Sequence, residues 1–180
     1  MAQKAISLNP LDAVAHCSLG SVRFFRGDHD GALAEARQAL TISPNYAVAH
    51  QRIGSTFVFC GQPREGVEAL RKAMRLDPDA LLRHIGLSQM AIGLYFLREY
   101  DAAVEATKEA IRSYPAVGTR TLAAALGQAG RLEEAKQALQ RTITVAPQSF
   151  NMYVRRRAPW FRPEDHEHML EGLRKAGWQG

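Results

Sequence analysis

Histidines and paired carboxylates are the side chains of this sequence that have the chemistry for metal binding or acid–base catalysis. His166 and His168 lie two residues apart on a predicted helix, so their rings point to different faces and are poorly placed to share a metal ion. The pairs Glu133–Glu134 and Glu164–Asp165 come at the starts of predicted helices, where negative charge stabilises the helix dipole. A catalytic pair would need burial to separate its two pKa values, and nothing around these pairs requires burial.

The common motifs for nucleotide binding, nucleophilic catalysis and zinc proteases (GxxxxGK[ST], GxGxxG, GxSxG and HExxH) do not occur in the sequence. The two cysteines, Cys17 and Cys60, are not equivalent in the repeat pattern described below and are expected to be free thiols. We therefore expect a chain that is not an enzyme, with no catalytic residues, no cofactor and no metal ion.

The composition is that of an ordinary globular protein, with 46% hydrophobic and 23% charged residues and a formal net charge of +5. The only basic run is Arg155–Arg157, whereas a nucleic-acid-binding protein typically carries a dense basic stripe. No apolar stretch approaches the roughly 18 residues needed to cross a bilayer, and no signal peptide is recognisable. These features and the free thiols favour a cytoplasmic location and no membrane contact, and they do not favour a nucleic-acid partner.

The elements that would position these side chains follow a repeat of 34 residues. Pro10, Pro44 and Pro78 mark its period, and the sequence from Leu11 to Pro44 predicts two amphipathic helices joined by a turn at residues 26–28. Small residues fall at equivalent places where two helices would cross closely: Gly20 and Gly54, Ala32 and Gly66, Ala39 and Ala73. Glycine recurs just past the end of a first helix: Gly27, Gly61 and Gly130.

This pattern resembles the tetratricopeptide repeat, a helix–turn–helix unit of 34 residues. The resemblance covers nearly all of the chain. It implies an all-α fold, a right-handed superhelix of stacked helix pairs (an α–α solenoid), with a C-terminal capping helix. His16 and His50 share the fourth repeat position and are expected to be packing residues.

The resemblance also implies a division of the chain. Residues 1–10 are interpreted as the end of a truncated upstream repeat. Four repeats follow at residues 11–44, 45–78, 79–115 and 116–147, the third with a three-residue insertion near residues 79–83. Residues 148–180 are interpreted as a C-terminal capping segment, in which Trp160, Phe161 and Trp178 are expected to cover the end of repeat four.

Proteins of this family bind protein or peptide partners in a concave groove lined by the first helix of each repeat. In this sequence the groove candidates are Cys17, Ser21, Phe24, Phe25, Gln51, Ser55, Phe59, Ser88, Ile92, Tyr95, Phe96 and Arg120. Phe25, Phe59 and Phe96 share the thirteenth repeat position. They could form an apolar ladder for a bound helix or extended peptide, or they could pack between adjacent repeats, and both interpretations are open at this point.

A narrower resemblance concerns the second half of the chain. The sequences GLYFLREYDAAVEATKEAIRSYP, LAAALGQAGRLEEAKQAL and RPEDHEHMLEGLRKAGW are similar to the C-terminal repeat region of bacterial class III adenylate/guanylate cyclases. That resemblance implies a non-catalytic regulatory arm of a larger bacterial signalling protein, with any cyclase activity in an upstream domain.

Two other interpretations compete with the regulatory arm. One is a free-standing adaptor that binds a peptide in its groove. The other is a nucleic-acid-associated repeat protein that uses Arg155–Arg157 together with Arg52 and Arg120. The sequence is also compatible with a homo-oligomer.

Overall fold

Eleven α-helices and no strands make up the computed structural model, which describes residues 1–180. Their bounds are α1 Ala2–Leu8, α2 Ala13–Phe25, α3 His29–Ile42, α4 Ala47–Phe59, α5 Pro63–Leu76, α6 Arg83–Phe96, α7 Tyr100–Ser113, α8 Thr119–Gln128, α9 Leu132–Val145, α10 Pro147–Arg155 and α11 Pro163–Lys175. Helices α2/α3, α4/α5, α6/α7 and α8/α9 pack as four pairs, and each second helix also packs on the first helix of the next pair. The predicted all-α solenoid is confirmed. None of the helices is long and apolar enough to cross a membrane.

Aspartates begin the two helices of the first pair. The Asp12 carboxylate accepts hydrogen bonds from the backbone N–H groups of Val14 (2.9 Å) and Ala15 (3.0 Å) at the start of α2. The Asp28 carboxylate accepts from the N–H of Gly31 (2.9 Å) at the start of α3. These contacts satisfy donors that the first turn of a helix leaves without a partner in the helix itself.

The turn inside each pair needs a residue with positive φ. Glycine meets this need in three pairs, with φ of 82° at Gly27, 92° at Gly61 and 75° at Gly130. In the third pair the equivalent residue is Arg98, with φ of 63°. A side chain raises the energy of this left-handed conformation, so the third turn is strained where the other three are not.

The small residues of the repeat pattern lie where the two helices of a pair cross. A Cβ atom added to Gly66 on α5 would lie 2.7 Å from the carbonyl oxygen of Gly54 on α4. A Cβ added to Gly54 would lie 2.9 Å from the carbonyl oxygen of Gly66. The two backbones are therefore too close for any side chain at either position, as the sequence predicted.

The repeated histidines are structural. The ring Nε2 of His16 lies 3.1 Å from the carbonyl oxygen of Pro10, and that of His50 lies 3.0 Å from the carbonyl oxygen of Pro44. Both side chains are buried. The His16 Nδ1 atom also contacts the Glu35 carboxylate at 2.7 Å. Each histidine thus fixes the linker that precedes its own helix, and the predicted packing role is confirmed.

The extra residues of the third repeat are shared between a linker and a helix. The linker before α6 holds six residues, 77–82, and the linker before α4 holds four, 43–46. Helix α6 has 14 residues, one more than α4. Leu81 and Leu82 of the longer linker are exposed.

The end of the chain folds back towards the repeats. Helix α11 packs mainly on α8 and only slightly on α9. A Cβ added to Gly172 of α11 would lie 2.7 Å from the carbonyl oxygen of Ala124, so the two helices are in close contact. Trp178 packs on Phe150 of α10, with 6.3 Å between ring centroids.

The expected position of Trp160 and Phe161 was wrong. These two rings do not cover the end of repeat four but lie against aromatic side chains of α2, α4 and α6. The physical reason is that α10 ends at Arg155 and the chain, interrupted by Pro159, continues as irregular backbone until α11 begins.

Candidate functional site

The first helices of the four pairs, α2, α4, α6 and α8, form one continuous surface, which we call the inner face. Three phenylalanines cross it, one from each of the first three pairs. The ring centroids of Phe24 and Phe59 are 5.5 Å apart, and those of Phe59 and Phe96 are 6.3 Å apart. These spacings are within the range of favourable aromatic pairs. We call these three residues the aromatic ladder.

The first member of the ladder differs from the expectation, because Phe24 takes the place predicted for Phe25. Adjacent residues on a helix point about 100° apart, so only one of the two rings can face the neighbouring helix. Phe24 is buried there, while Phe25 is 53% exposed. Phe59 is only 5% exposed, so the thirteenth repeat position is buried in the second pair and open in the first.

Residues 156–162, which we call the C-terminal strap, lie across the aromatic ladder. The Phe161 ring packs on Phe59 at 4.9 Å and on Phe96 at 6.1 Å between centroids. The Trp160 ring packs edge-on against Phe25 at 5.1 Å. The chain's own segment therefore occupies the surface that the sequence assigned to a partner.

Hydrogen bonds from two arginines close the strap on itself and join it to α11. The Arg157 guanidinium donates a hydrogen bond to the carbonyl oxygen of Phe161, which closes the strap on itself. The Arg162 guanidinium donates two hydrogen bonds, of 2.7 Å and 2.9 Å, to the buried Asp165 carboxylate. The hydrogen bonds to Asp165 raise the pKa of Arg162.

Two turn glycines let the strap approach the repeats. A Cβ added to Gly27 would lie 2.9 Å from the carbonyl oxygen of Pro159. A Cβ added to Gly61 would collide with the guanidinium of Arg162. The positive φ of both residues is explained by the turn, and their lack of a side chain also makes room for the strap.

A cavity of about 330 Å³ lies between the inner face, the strap and α10. Hydroxyl side chains from three first helices contribute to its lining, among them Ser21, Ser55 and Ser88. Aromatic rings of the ladder and the strap also line it. The volume is within the range of pockets that bind small molecules.

Two arginines also line this cavity, Arg52 from α4 and Arg120 from α8. The Nε atoms of both are buried and have no hydrogen-bond partner within the chain. The Arg120 guanidinium carbon lies 4.1 Å from the centroid of the Tyr153 ring, a cation–π contact. Burial lowers the pKa of Arg120 to about 10.

Helix α11 covers the inner face at the fourth pair. The Tyr95 hydroxyl donates a hydrogen bond of 2.7 Å to the backbone carbonyl of His168 on α11. Burial is the main reason that the pKa of Tyr95 lies above its usual value. Tyr95, one of the predicted groove residues, therefore anchors α11 in this structure.

The remaining predicted residues divide by burial. Cys17, Ser55 and Ile92 are buried, whereas Ser21, Gln51, Ser88 and Arg120 are partly exposed. Among these, burial raises the pKa of the Cys17 thiol to about 11. Both cysteines of the chain are free thiols. Eight of the predicted residues line the cavity: Ser21, Phe24, Phe25, Ser55, Phe59, Ser88, Ile92 and Arg120.

The five arginines of the nucleic-acid interpretation do not share one exposed surface. Arg52 and Arg120 line the cavity. Arg155, Arg156 and Arg157 are exposed at and just after the end of α10, and Arg157 donates a hydrogen bond within the strap.

The strap was not among the residues predicted for the site. The segment APWFR, where two large aromatic residues follow a proline outside any predicted helix, is the feature of the sequence that could have indicated it. Tyr153 was not predicted as a site residue either, because a partly buried tyrosine on a short helix is indistinguishable by sequence from a packing residue.

Four stacked helix pairs with one repeated pattern of small residues define a helical-repeat protein. One sequence model of the tetratricopeptide repeat matches residues 13–46 and 47–80, and a second matches residues 121–149. The matched segments make up more than half of the chain, and the chain belongs to the tetratricopeptide repeat family. A search of curated proteins found no match to the sequence.

Solved structures of similar fold include three proteins under 25% identical, which show the fold alone. YrrB, described as a TPR protein with an unusual peptide-binding site, is 20% identical over 97% of this chain and 90% of that chain, with a TM-score of 0.65. TTC0263, a thermophilic TPR protein from Thermus thermophilus, is 21% identical over 86% of this chain and 84% of that chain, with a TM-score of 0.71. PilW, described as a type IV pilus biogenesis factor, is 18% identical over 97% of this chain and 78% of that chain, with a TM-score of 0.76.

Proposed function

We propose that this chain is a non-catalytic protein-interaction module, whose inner face binds an extended, aromatic-bearing segment of a partner protein in exchange for its own C-terminal strap. The observation that carries the proposal is the seating of Trp160 and Phe161 on the inner-face phenylalanines. An extended segment with two large rings and flanking arginines therefore fits this surface sterically and chemically.

The aromatic contacts also suggest which part of a partner contributes most to binding. Phe161 contacts two members of the ladder, while Trp160 packs on Phe24 and Phe25 at the edge of the same surface. Buried aromatic anchors commonly dominate the binding energy of an interface. We therefore expect a partner segment to place one ring at the site of Phe161 and a second at the site of Trp160.

The test uses a labelled peptide of residues 156–162, RRAPWFR, and the full chain with Trp160→Ala and Phe161→Ala together. The double variant should bind the peptide, because its own strap no longer competes, and the wild-type chain should bind it much more weakly. A peptide with both rings changed to alanine is the control ligand. Equal binding of both peptides, or no binding to the double variant, would overturn the proposal.

A matched protein control is Trp178→Ala. Trp178 belongs to the same C-terminal region but packs on Phe150, away from the ladder. This variant should bind the peptide as weakly as the wild type does. Sedimentation would also compare the oligomeric state of the wild type and the double variant. A homo-oligomer in which the strap of one copy binds the inner face of a second copy would be present in the wild type and lost in the double variant.

We further propose that the module is one part of a larger, cytoplasmic signalling protein. The resemblance of the second half to class III cyclase regions supports a regulatory arm of a bacterial signalling protein, and the free thiols Cys17 and Cys60 support a cytoplasmic setting. Reading the gene upstream of the Met1 codon tests the first of these. A continuous frame into a cyclase domain would support the regulatory arm, and a stop codon would favour the free-standing adaptor.

A further inference from the structure

Three electropositive groups line the 330 Å³ cavity beneath the strap. Two are the guanidinium groups of Arg52 and Arg120, whose buried Nε atoms have no partner within the chain. The third is the start of helix α8, where residues 118–121 line the cavity. The N-cap residue Gly118 makes no side-chain cap, and the backbone N–H groups of residues 119–121 have no acceptor within the chain.

No negative charge balances these groups. The residues that line the cavity include no aspartate and no glutamate. Neither Arg52 nor Arg120 forms a salt bridge, although other arginines of the chain, such as Arg83 and Arg131, do. The lowered pKa of Arg120 follows from the same imbalance, because burial disfavours its charged form and no carboxylate compensates. Both arginines are partly exposed as residues, but their Nε atoms are buried without a partner. A guanidinium in this state, with no counter-ion, would be stabilised by a bound anion.

The cavity also has an apolar lining. Phe25 and Trp160 contribute to it, together with Ile92 and Phe161. A fully hydrated inorganic ion would leave these apolar side chains without a contact. A ligand that has an acidic group at one end and an apolar group at the other can contact both the arginines and the apolar side chains.

We propose that this cavity binds a small ligand whose oxyanion, a carboxylate or a phosphate, lies between Arg52, Arg120 and the start of α8, with its apolar part against Trp160 and Phe25. Guanidinium groups bind both oxyanions through paired hydrogen bonds, and free N–H groups at a helix start add further donors. The strap is one wall of this site. The proposal therefore adds to the interaction function and does not depend on displacement of the strap.

The experiment is isothermal titration calorimetry on the full chain with three probes: N-acetylphenylalanine, phenyl phosphate and the uncharged N-acetylphenylalaninamide. At least one of the two anions should bind, and the amide should bind about 10-fold more weakly or not at all, because charged hydrogen bonds are lost. The tighter of the two anions identifies the oxyanion. Absence of binding by both anions, or equal binding of the amide, would overturn the proposal.

Variants locate the binding. Arg120→Met and Arg52→Met should each weaken the anion about 10-fold or more, because each removes one guanidinium from the cavity. Arg112→Met is the control, since Arg112 is exposed on α7 and forms no salt bridge, so this variant makes the same change in net charge outside the cavity. An equal loss in the control would overturn the proposal. If Arg120→Met does not fold, Arg52→Met alone decides the result.

The outcome is separable from that of the peptide test. If the RRAPWFR peptide does not bind the strap variant, the interaction function is removed. The anion site is then still tested independently by the calorimetric titration of the wild-type chain. Failure of both anions with successful peptide binding would retain the interaction function and remove the anion site.

Discussion

The ring of Phe161, near the end of the chain, meets the ring of Phe59 edge-on with 4.9 Å between centroids. Phe59 also contacts Phe24 and Phe96, so it is the central member of the aromatic ladder. The strap therefore contributes to the burial of a residue of the second repeat.

Phe59→Ala should lower the free energy of unfolding by about 3 kcal/mol or more, the typical cost of truncating a core phenylalanine. Phe25→Ala is the matched control, because the same repeat position is 53% exposed in the first pair. We expect it to cost about 1 kcal/mol or less. Chemical denaturation of both variants gives the comparison, and similar losses would show that the two rings are equally buried.

Arg98→Gly should raise the free energy of unfolding by about 1 kcal/mol, because glycine removes the strain of a φ of 63°. The reverse change serves as the control. Gly130→Ala introduces a side chain at a φ of 75° where no atom outside the adjacent residues lies within 4 Å of the new Cβ, so a loss of stability reports the backbone conformation. Thermal unfolding measures both, and a destabilised Arg98→Gly variant would contradict the prediction.

Gly66→Ala should destabilise the fold by about 2 kcal/mol, because the new Cβ would lie 2.7 Å from the carbonyl oxygen of Gly54 and the helices must separate. Gly86→Ala on α6 makes the same chemical change where the nearest atom, Nε2 of Gln51, is 3.8 Å away. It should stabilise by about 0.5–1 kcal/mol, since alanine favours a helix interior more than glycine does. In urea unfolding, we expect the free energy of unfolding to fall for Gly66→Ala and to rise for Gly86→Ala. A fall for both variants would mean that α6 is packed as closely at Gly86 as α5 is at Gly66.

Stability should fall on acidification through the pH range of His168. Burial, with a contribution from Arg98, lowers the pKa of this histidine below its ordinary value of 6.5, while Glu171 opposes the shift. The unfolded chain therefore binds the proton more readily than the folded chain, and folded stability is lost as the pH falls below about 6.5. We expect His168→Gln to reduce the difference in unfolding free energy between pH 7.5 and pH 5.5. A variant whose pH profile matches the wild type would remove His168 as the cause.

The repeat pattern predicted the parts of the fold that depend on local spacing. The close crossing of Gly54 and Gly66 and the turn at Gly61 follow from residue types that recur at fixed positions. The position of Trp160 did not follow, because a segment outside the repeats has no periodicity to specify which surface it contacts. Arg120 was predicted as a groove residue from its repeat position, but the burial of its Nε atom without a partner depends on tertiary packing, including the Tyr153 ring of α10, which the repeat pattern does not specify.

The strap also changes how the array is expected to unfold. In an open row of repeats each unit depends only on its neighbours, so the ends can fray while the middle stays folded. Here the strap rests on phenylalanines of the first three helix pairs, while α11, which follows it, packs on α8 of the fourth pair. Loosening α2 therefore also removes contacts of the C-terminal segment. The C-terminal segment therefore links the first helix pair to the last. We expect a single cooperative transition. We also expect slower folding than in an open row of the same length, because contacts between residues distant in sequence form only after the entropy cost of closing a long loop is met.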